Sequence, residues 1–203
     1  MMSEGKLLPV MEEFYSLQGE GFNTGQAAYF IRIGGCDVGC NWCDVKESWD
    51  AVTYSPVETD GIIQRASECI ANAVVITGGE PLNYNLDYLC SGLNACGIRI
   101  FIETSGSQPL SGNFDWICLS PKKISPPLKP VFPLANELKV IVGNNTDFDW
   151  AEENAGQVNN DCQLYLQPEW SRRNQIMPEI ITYIMAHPKW KISLQSHKYM
   201  RIP

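Results

Sequence analysis

The sequence predicts an α/β fold, an incomplete and open β/α barrel of mainly parallel strands. Three observations carry that expectation. Short apolar runs rich in β-branched and aromatic residues recur along the chain, at the length of strands. Several are unbroken rather than alternating, as suits parallel strands covered on both faces. Helix-period segments lie between some of them, and strand–helix alternation indicates a parallel sheet. A closed eight-stranded barrel usually takes about 250 residues. At 203 residues, with some crossover helices missing, an open barrel fits better.

The first strand expected is "AYFIRI" (28–33), preceded by "FYSLQGEG" (14–21). "SPVETDGIIQRASECIAN" (55–72) reads as a helix with a Ser N-cap and Pro at its first position. "AVVIT" (73–77) is the next strand. "LDYLCSGLNAC" (86–96) is a helix stopped by Gly97, where a glycine just past the end belongs. "IRIFIE" (98–103) and "WICLS" (116–120) are the next two strands. "KKISPPLKPVFPLAN" (122–136) is loop-like, because its prolines disfavour helix and central strand. Too little chain remains after it for a second core, so residues 1–203 are expected to form one domain. Strands "LKVIV" (138–142), "QLYLQ" (163–167) and "KISLQ" (191–195) complete the set. Helices are expected in "DFDWAEENAG" (147–156) and in "RRNQIMPEIITYIMAHP" (172–188), the latter starting near Pro178.

Composition narrows the function. The hydrophobic fraction of 44% supports a sizeable core, and the apolar runs are too short to cross a bilayer. "MMSEGKLLPVMEEF" has no apolar signal core, so a cytoplasmic protein is expected. A formal net charge of −8 argues against a nucleic-acid groove. Eight cysteines without a secretion signal do not suggest disulfides. Cys69, Cys90, Cys96, Cys118 and Cys162 are scattered among apolar residues and read as buried thiols.

The informative pattern lies at the strand exits. "GGCDVGCNWCD", "TGGEP", "ETSG", "SPK", "QPE" and "QSHK" each stand at the end of one strand. Ligands of parallel α/β sheets bind at the carboxyl ends of the strands, so six such exits point to one active site. Each alone has a plainer reading: Gly78 and Gly79 could only permit a turn, and Thr104 and Ser105 could only cap backbone groups.

Cys36, Cys40 and Cys43 have ligand spacing but no fourth cysteine beside them. A Cys3His zinc site would need His197 after the last strand; His187 stands at an expected helix end, with the ordinary role of a terminal cation. The other reading is a 4Fe–4S cluster with one iron left open, as a catalytic metal requires. Gly34, Gly35 and Gly39 would let the loop turn closely around it.

Those cysteines, with Trp42 before the last and "TGGEP" at the next strand end, resemble the radical S-adenosylmethionine (SAM) superfamily. The resemblance implies that SAM chelates the fourth iron and that one electron splits it to methionine and a 5′-deoxyadenosyl radical. It places Gly78, Gly79 and Glu80 at the methionine end of SAM, and Trp42, Cys43 and Asp44 beside the adenine. Ser105, Ser120–Pro121–Lys122 and Leu166–Gln167–Pro168–Glu169 would line the ribose and adenine side. "FYSLQGEG", Arg32 and the tail "SLQSHKYMRIP" resemble, over nearly the whole chain, the 7-carboxy-7-deazaguanine synthases. That family converts 6-carboxy-5,6,7,8-tetrahydropterin to 7-carboxy-7-deazaguanine with loss of ammonia, on the route to queuosine and other deazapurines. It implies a pterin site of Leu17, Gln18, Gly19, Glu20, Arg32, Thr77, Gln195, His197 and Pro203. Glu20, Arg32 and His197 would act on the substrate, Arg32 holding its carboxylate. A homodimer and an external electron donor of flavodoxin or ferredoxin type are also implied.

One position departs from the family pattern. A Thr or Ser commonly comes after the Asp that succeeds the last cysteine and helps bind Mg2+; here Val45 stands after Asp44 and cannot ligate a hard cation. The ion would have only Asp44, water and substrate oxygens, or would be dispensable. Two rivals stay open on sequence grounds. A glycyl-radical-enzyme activase shares the cysteine spacing and the open barrel, and a metal-stabilised binding domain would use zinc and no SAM.

Overall fold

The computed structural model describes residue 2 and residues 4–203. Met1 and Ser3, part of the N-terminal stretch "MMSEGKLLPVMEEF", lie outside the described residues. Among the described residues nine strands form one sheet: β1 (Leu7–Leu17), β2 (Ala27–Ile33), β3 (Pro56–Glu58), β4 (Ala73–Gly78), β5 (Arg99–Thr104), β6 (Trp116–Leu119), β7 (Glu137–Val142), β8 (Gln163–Pro168) and β9 (Trp190–Ile192). Their spatial order is β3-β1-β2-β4-β5-β6-β7-β8-β9. From β2 to β9 every neighbouring pair is parallel, whereas β1 runs antiparallel to both β2 and β3. The sheet is open, with β3 and β9 at its edges, as expected for an incomplete barrel.

The helices are α1 (Thr59–Glu68), α2 (Asp87–Ala95), α3 (Thr146–Ala155), α4 (Arg173–Ala186) and α5 (Ser196–Met200). Residues of α1 and α2, among them Ile62, Leu89 and Leu93, pack on Ile31, Ile33, Ile76, Ile100 and Ile102. Phe148, Ile176, Ile180 and Trp190 cover Leu138, Val140, Val142 and Leu166 at the other end of the sheet. Each fully buried Ile or Leu contributes about 1.5–3 kcal/mol before chain entropy is charged against it.

Alternation along each strand sends the other residues to the opposite, concave face. There Phe30, Val75 and Phe101 make a small apolar layer. One or more steps further toward the carboxyl ends, the same face carries Arg32, Thr77, Glu103, Lys139 and Gln167.

Several expectations change. The first strand is β1, which lies ahead of residue 28 and holds residues 14–17, the first half of the segment expected to lead into it; its Pro9, Glu12 and Glu13 interrupt any apolar run. Ser55 does not cap α1. Pro56 pairs with Pro9 in β3, and the helix starts at Thr59, whose hydroxyl donates to Gly5 O (2.7 Å). Helix α4 begins at Arg173, not near Pro178, which sits inside it and leaves one carbonyl without its amide partner. The proline-rich loop holds a 3-10 segment, Lys129–Leu134, that buries Val131 and Phe132. Gly97 ends α2 with φ +72°, as expected. Of the five scattered cysteines, Cys90, Cys118 and Cys162 are buried, but Cys69 is half-buried and Cys96 is exposed beside the Gly97 turn. His187 is the C-cap residue of α4, with its Nδ1 3.0 Å from Tyr183 O. Among the described residues no helix is long and apolar enough to cross a membrane.

Candidate active site

The carboxyl ends of the strands open into one cavity of about 250 Å3. One wall is the loop after β2. Gly35 and Gly39 take φ +100° and +69° there, and Cys36, Cys40 and Cys43 all line the cavity. The loop is tied to the turn beyond it by Gly35 N–Ser48 O (2.6 Å) and Cys36 N–Trp49 O (3.1 Å), and internally by Cys43 N–Cys40 O (2.9 Å). Burial pushes the Cys36 and Cys40 thiols up in pKa, while the Val38 and Gly39 amides directed at Cys36 oppose this.

The "TGGEP" turn packs backbone to backbone against that loop. Gly79 N donates to Ile33 O and Glu80 N to Gly35 O, both at 2.9 Å. A Cβ on Gly78 would stand 2.1 Å from Ile33 O, and one on Gly79 2.3 Å from Gly35 O, so both glycines are required by close approach. Glu80 is buried and its carboxylate is fully engaged. Oε1 accepts from Leu82 N (3.1 Å) and Thr104 Oγ1 (2.6 Å); Oε2 accepts from Ser105 N (2.8 Å) and Ser105 Oγ (2.5 Å). Expected at the methionine end of SAM, it lines the cavity beside Gly78 and Gly79, and its hydrogen bonds brace the exits of β4 and β5.

On the adjoining rim, Trp42 is exposed and Lys122 lies 5.6 Å from its ring centroid. Lys122 donates to Ser120 O (2.6 Å) and Ser120 Oγ (2.7 Å), and burial lowers its pKa. Glu169 accepts from Ser171 N (2.8 Å) and so caps the turn after β8. Pro168 also lines the cavity. Pro121 is not among the lining residues, and Leu166 points the other way into the core, because alternation along β8 exposes Gln167 to the cavity and buries its neighbour.

The floor is polar and continuous. Glu20 accepts from Lys139 Nζ (2.5 Å) and Gln167 Nε2 (3.0 Å) on one oxygen and from Gln195 Nε2 (3.0 Å) on the other. Burial opposes its ionisation, but Lys139 and the two amides outweigh burial and bring its pKa to about 2. Lys139 also reaches Glu103 Oε2 (3.0 Å), and Glu103 Oε1 accepts from Gln18 Nε2 (2.8 Å). Gly19 packs under His197: a Cβ there would meet the ring at 2.2 Å. Burial lowers the His197 pKa despite the nearby Glu20 charge, which favours the neutral ring. Arg32 lines the cavity while its Nε donates to Glu12 across β1 and β2 (2.6 Å), so the ordinary strand ion pair and the cavity position coexist. Leu17 and Thr77 lie on the same wall system, and Pro203 O accepts from Ser16 Oγ (3.2 Å) at its edge. Asp44 accepts from Gln195 Nε2 (2.9 Å) and from Lys198; burial opposes its ionisation, but these bonds and the Lys198 charge hold its pKa low.

Lys139 is the charged residue of this floor that the strand exits do not flag, whereas Glu103 opens the "ETSG" exit. The available signal is a charge inside an apolar strand run, since a buried charge must be paired.

Among the described residues no three His, Cys, Asp or Glu side chains gather closely enough to hold a single ion. That geometry disfavours a Cys3His zinc site. It suits a cubane, where each thiolate meets a different iron and the three sulfurs stand apart. Amides directed at a cysteine sulfur are also what tunes a cluster.

Residues 30–144 match the Radical SAM superfamily. The 7-carboxy-7-deazaguanine synthase of Flavobacterium psychrophilum is 52% identical over 202 residues, covering 100% of this chain and 96% of its own length. The synthase of that name from Synechocystis is 47% identical over 194 residues, covering 96% and 93%. The crystal structure of QueE from Escherichia coli superposes with a TM-score of 0.83 at 30% identity, covering 96% of this chain and 97% of that one. The superfamily match implies a 4Fe–4S cluster and SAM, which the three-cysteine wall of the cavity fits. With the motif, the open sheet and relatives alike over the whole length all agreeing, the chain belongs to the radical SAM superfamily and, within it, to the 7-carboxy-7-deazaguanine synthase family.

Proposed function

We propose that this chain converts 6-carboxy-5,6,7,8-tetrahydropterin to 7-carboxy-7-deazaguanine with loss of ammonia, as a lyase of queuosine and deazapurine biosynthesis. The observation that carries the reading is a single cavity with the three-cysteine loop on one wall and Gln18, Glu20, Arg32, Gln195 and His197 around its floor. When bound, the cluster and SAM supply one electron and the 5′-deoxyadenosyl radical that takes hydrogen from the substrate. The chain's own residues bind and orient. Glu20, ionised and held from three sides, accepts hydrogen bonds from the paired N–H groups of an aminopyrimidinone edge. Arg32 holds the substrate carboxylate with its terminal nitrogens. Neutral His197, Gln195, Leu17, Gly19, Thr77 and Pro203 complete the pterin site. Gly78, Gly79, Glu80, Trp42, Ser105, Ser120, Lys122, Gln167, Pro168 and Glu169 serve the SAM side, the turn glycines directly and Glu80 by bracing them. A polar floor built from several chain segments suits a small molecule better than the glycine loop of a protein partner, which disfavours the activase.

The test is anaerobic turnover of reconstituted protein with SAM, a strong reductant and carboxytetrahydropterin, read by mass spectrometry. Both 5′-deoxyadenosine and carboxydeazaguanine are expected; deoxyadenosine alone would remove the substrate from the reading. Glu20→Gln is expected to raise the pterin KM by about 10-fold to 100-fold, the loss of one charge-assisted contact set. SAM cleavage should persist in that variant, and an equal loss of SAM affinity would put Glu20 in the wrong part of the cavity.

The donors near Asp44 do not fit Mg2+. Val45 offers no side-chain oxygen, and Asp44 Oδ2 already holds the Gln195 amide and the Lys198 ammonium. Wild-type turnover is therefore expected to stay flat across a magnesium titration, and Val45→Thr to introduce a response. A strong response in the wild type would show that Lys198 yields the site to the metal.

The reading extends to one domain over residues 1–203, supported by the continuous nine-stranded sheet. It also includes a homodimer, consistent with sheet edges at β3 and β9 and the half-exposed Ile192 on the latter, and an electron donor of flavodoxin or ferredoxin type.

A further inference from the structure

Lys139 lies on β7, in the middle of the cavity floor and outside every strand-exit motif. Its side chain is 3% exposed, with the ammonium 2.5 Å from Glu20 Oε2 and 3.0 Å from Glu103 Oε2. Desolvating an ammonium costs several kcal/mol, so a lysine in an apolar strand persists only where opposite charge meets it. Two carboxylates sharing a dry site would otherwise force one of them to keep a proton and become a donor. The cation between them removes that pressure. Their remaining oxygens are each aimed by an amide, Gln195 on Glu20 and Gln18 on Glu103. Gln18 also accepts from Gly19 N (2.8 Å), which joins the floor to the loop after β1.

We propose that Lys139 is a positioning residue that keeps Glu20 ionised and holds Glu103 at a fixed spacing from it, so that the floor reads a flat heterocycle with adjacent N–H donors. For the identity of that heterocycle, the inference rests on the pterin reading. The charged and titratable groups facing Glu20 are Lys139 and Glu137 from β7, Glu103 from β5, Cys118 from β6, Asp44 from the cysteine loop, and His197 and Lys198 from α5. Lys198 is engaged by Asp44 and His197 is neutral. Lys139 is thus the cation in direct contact, and without it burial and the charges of Glu103 and Asp44 are opposed at contact distance by the Gln167 and Gln195 amides and no charge.

Removing the cation makes binding depend on pH in one direction. In the wild type Glu20 stays ionised from about pH 5 to about pH 9, and ligand binding has no slope from this group. In Lys139→Met its pKa rises, so binding is retained above the new value and lost as pH falls through it.

The experiment compares reconstituted wild type, Lys139→Met and Lys139→Arg. Infrared difference spectra track the Glu20 carboxyl against pH, with Glu20→Gln subtracted, and pterin KM is measured over the same range. Lys139→Met is expected to show a protonated Glu20 carboxyl titrating inside the window and a KM at least about 30-fold higher at neutral pH, falling as pH rises. Lys139→Arg should restore an ionised Glu20 and a flat profile. An ionised Glu20 throughout in Lys139→Met, or a KM rise without slope and equal in both variants, overturns the proposal and leaves Lys139 a packing residue. The infrared result needs no substrate, so if it holds while the wild type fails to turn over the pterin, the ligand reading falls and the role of Lys139 stands. Should Lys139→Met not fold, Lys139→Gln keeps a donor without the charge and is expected to give the same titration.

Discussion

Cys43→Ala is expected to leave reconstituted protein without its brown cluster absorbance and to reduce 5′-deoxyadenosine formation to background. The cysteine loop has three thiols, and the acid beside Cys43, Asp44, is already engaged by Gln195 and Lys198. Two thiolates hold only two irons of a cubane, and the open iron needs the other three fixed. The apo fold should hardly notice the change. Cys43 is half-buried, and the loop stays anchored by the Gly35–Ser48 and Cys36–Trp49 hydrogen bonds, so the expected change in apo stability is within about 1 kcal/mol. Iron and sulfide analysis beside the ultraviolet–visible spectrum and a thermal melt separates the two effects. A full cluster in the variant would remove Cys43 from the ligand set. An apo protein that fails to fold would instead assign it a structural role.

The parallel core and most of the site are legible in the sequence because strand exits in such sheets are under chemical rather than packing demand. "GGCDVGCNWCD", "TGGEP" and "QSHK" stand out against their flanking strands, and their residues meet at one cavity. Residues inside the strands are harder to see. Lys139 stands in a run otherwise apolar from 138 to 142, so the period-2 alternation that turns it inward shows only once the register is known. Strand β1 escapes the same pattern for a related reason. It runs antiparallel near the sheet edge with several half-exposed positions, and its Glu12 and Glu13 answer Arg32 and Arg65 rather than a core. Resemblance alone assigns Glu80 to SAM itself. Its four internal hydrogen bonds depend on where Thr104 and Ser105 arrive in space, which spacing along the chain does not reveal.

Glu80→Gln is the substitution expected to damage the site most without touching a cysteine. Each carboxylate oxygen accepts one backbone amide and one hydroxyl: Leu82 N with Thr104 Oγ1, and Ser105 N with Ser105 Oγ. The hydroxyls can rotate, but the amides cannot. Whichever way a glutamine side chain turns, its NH2 group faces one of the two amides, donor against donor, in a buried place that water does not reach. An unsatisfied buried donor pair and the loss of charge-assisted bonds together cost about 2–4 kcal/mol. For a chain of this size that lowers the melting temperature by roughly 5 to 15 °C. Because the same turn presses Gly79 against Gly35 and the Cys36 side chain, loosening it shifts the cysteine wall, and SAM affinity should fall as well. The order of these effects decides what Glu80 does. A brace destabilises the protein before any SAM is added. A residue whose only task is to bind the methionine end would lose SAM affinity with the apo melt unchanged, and that result would return Glu80 to the ligand shell.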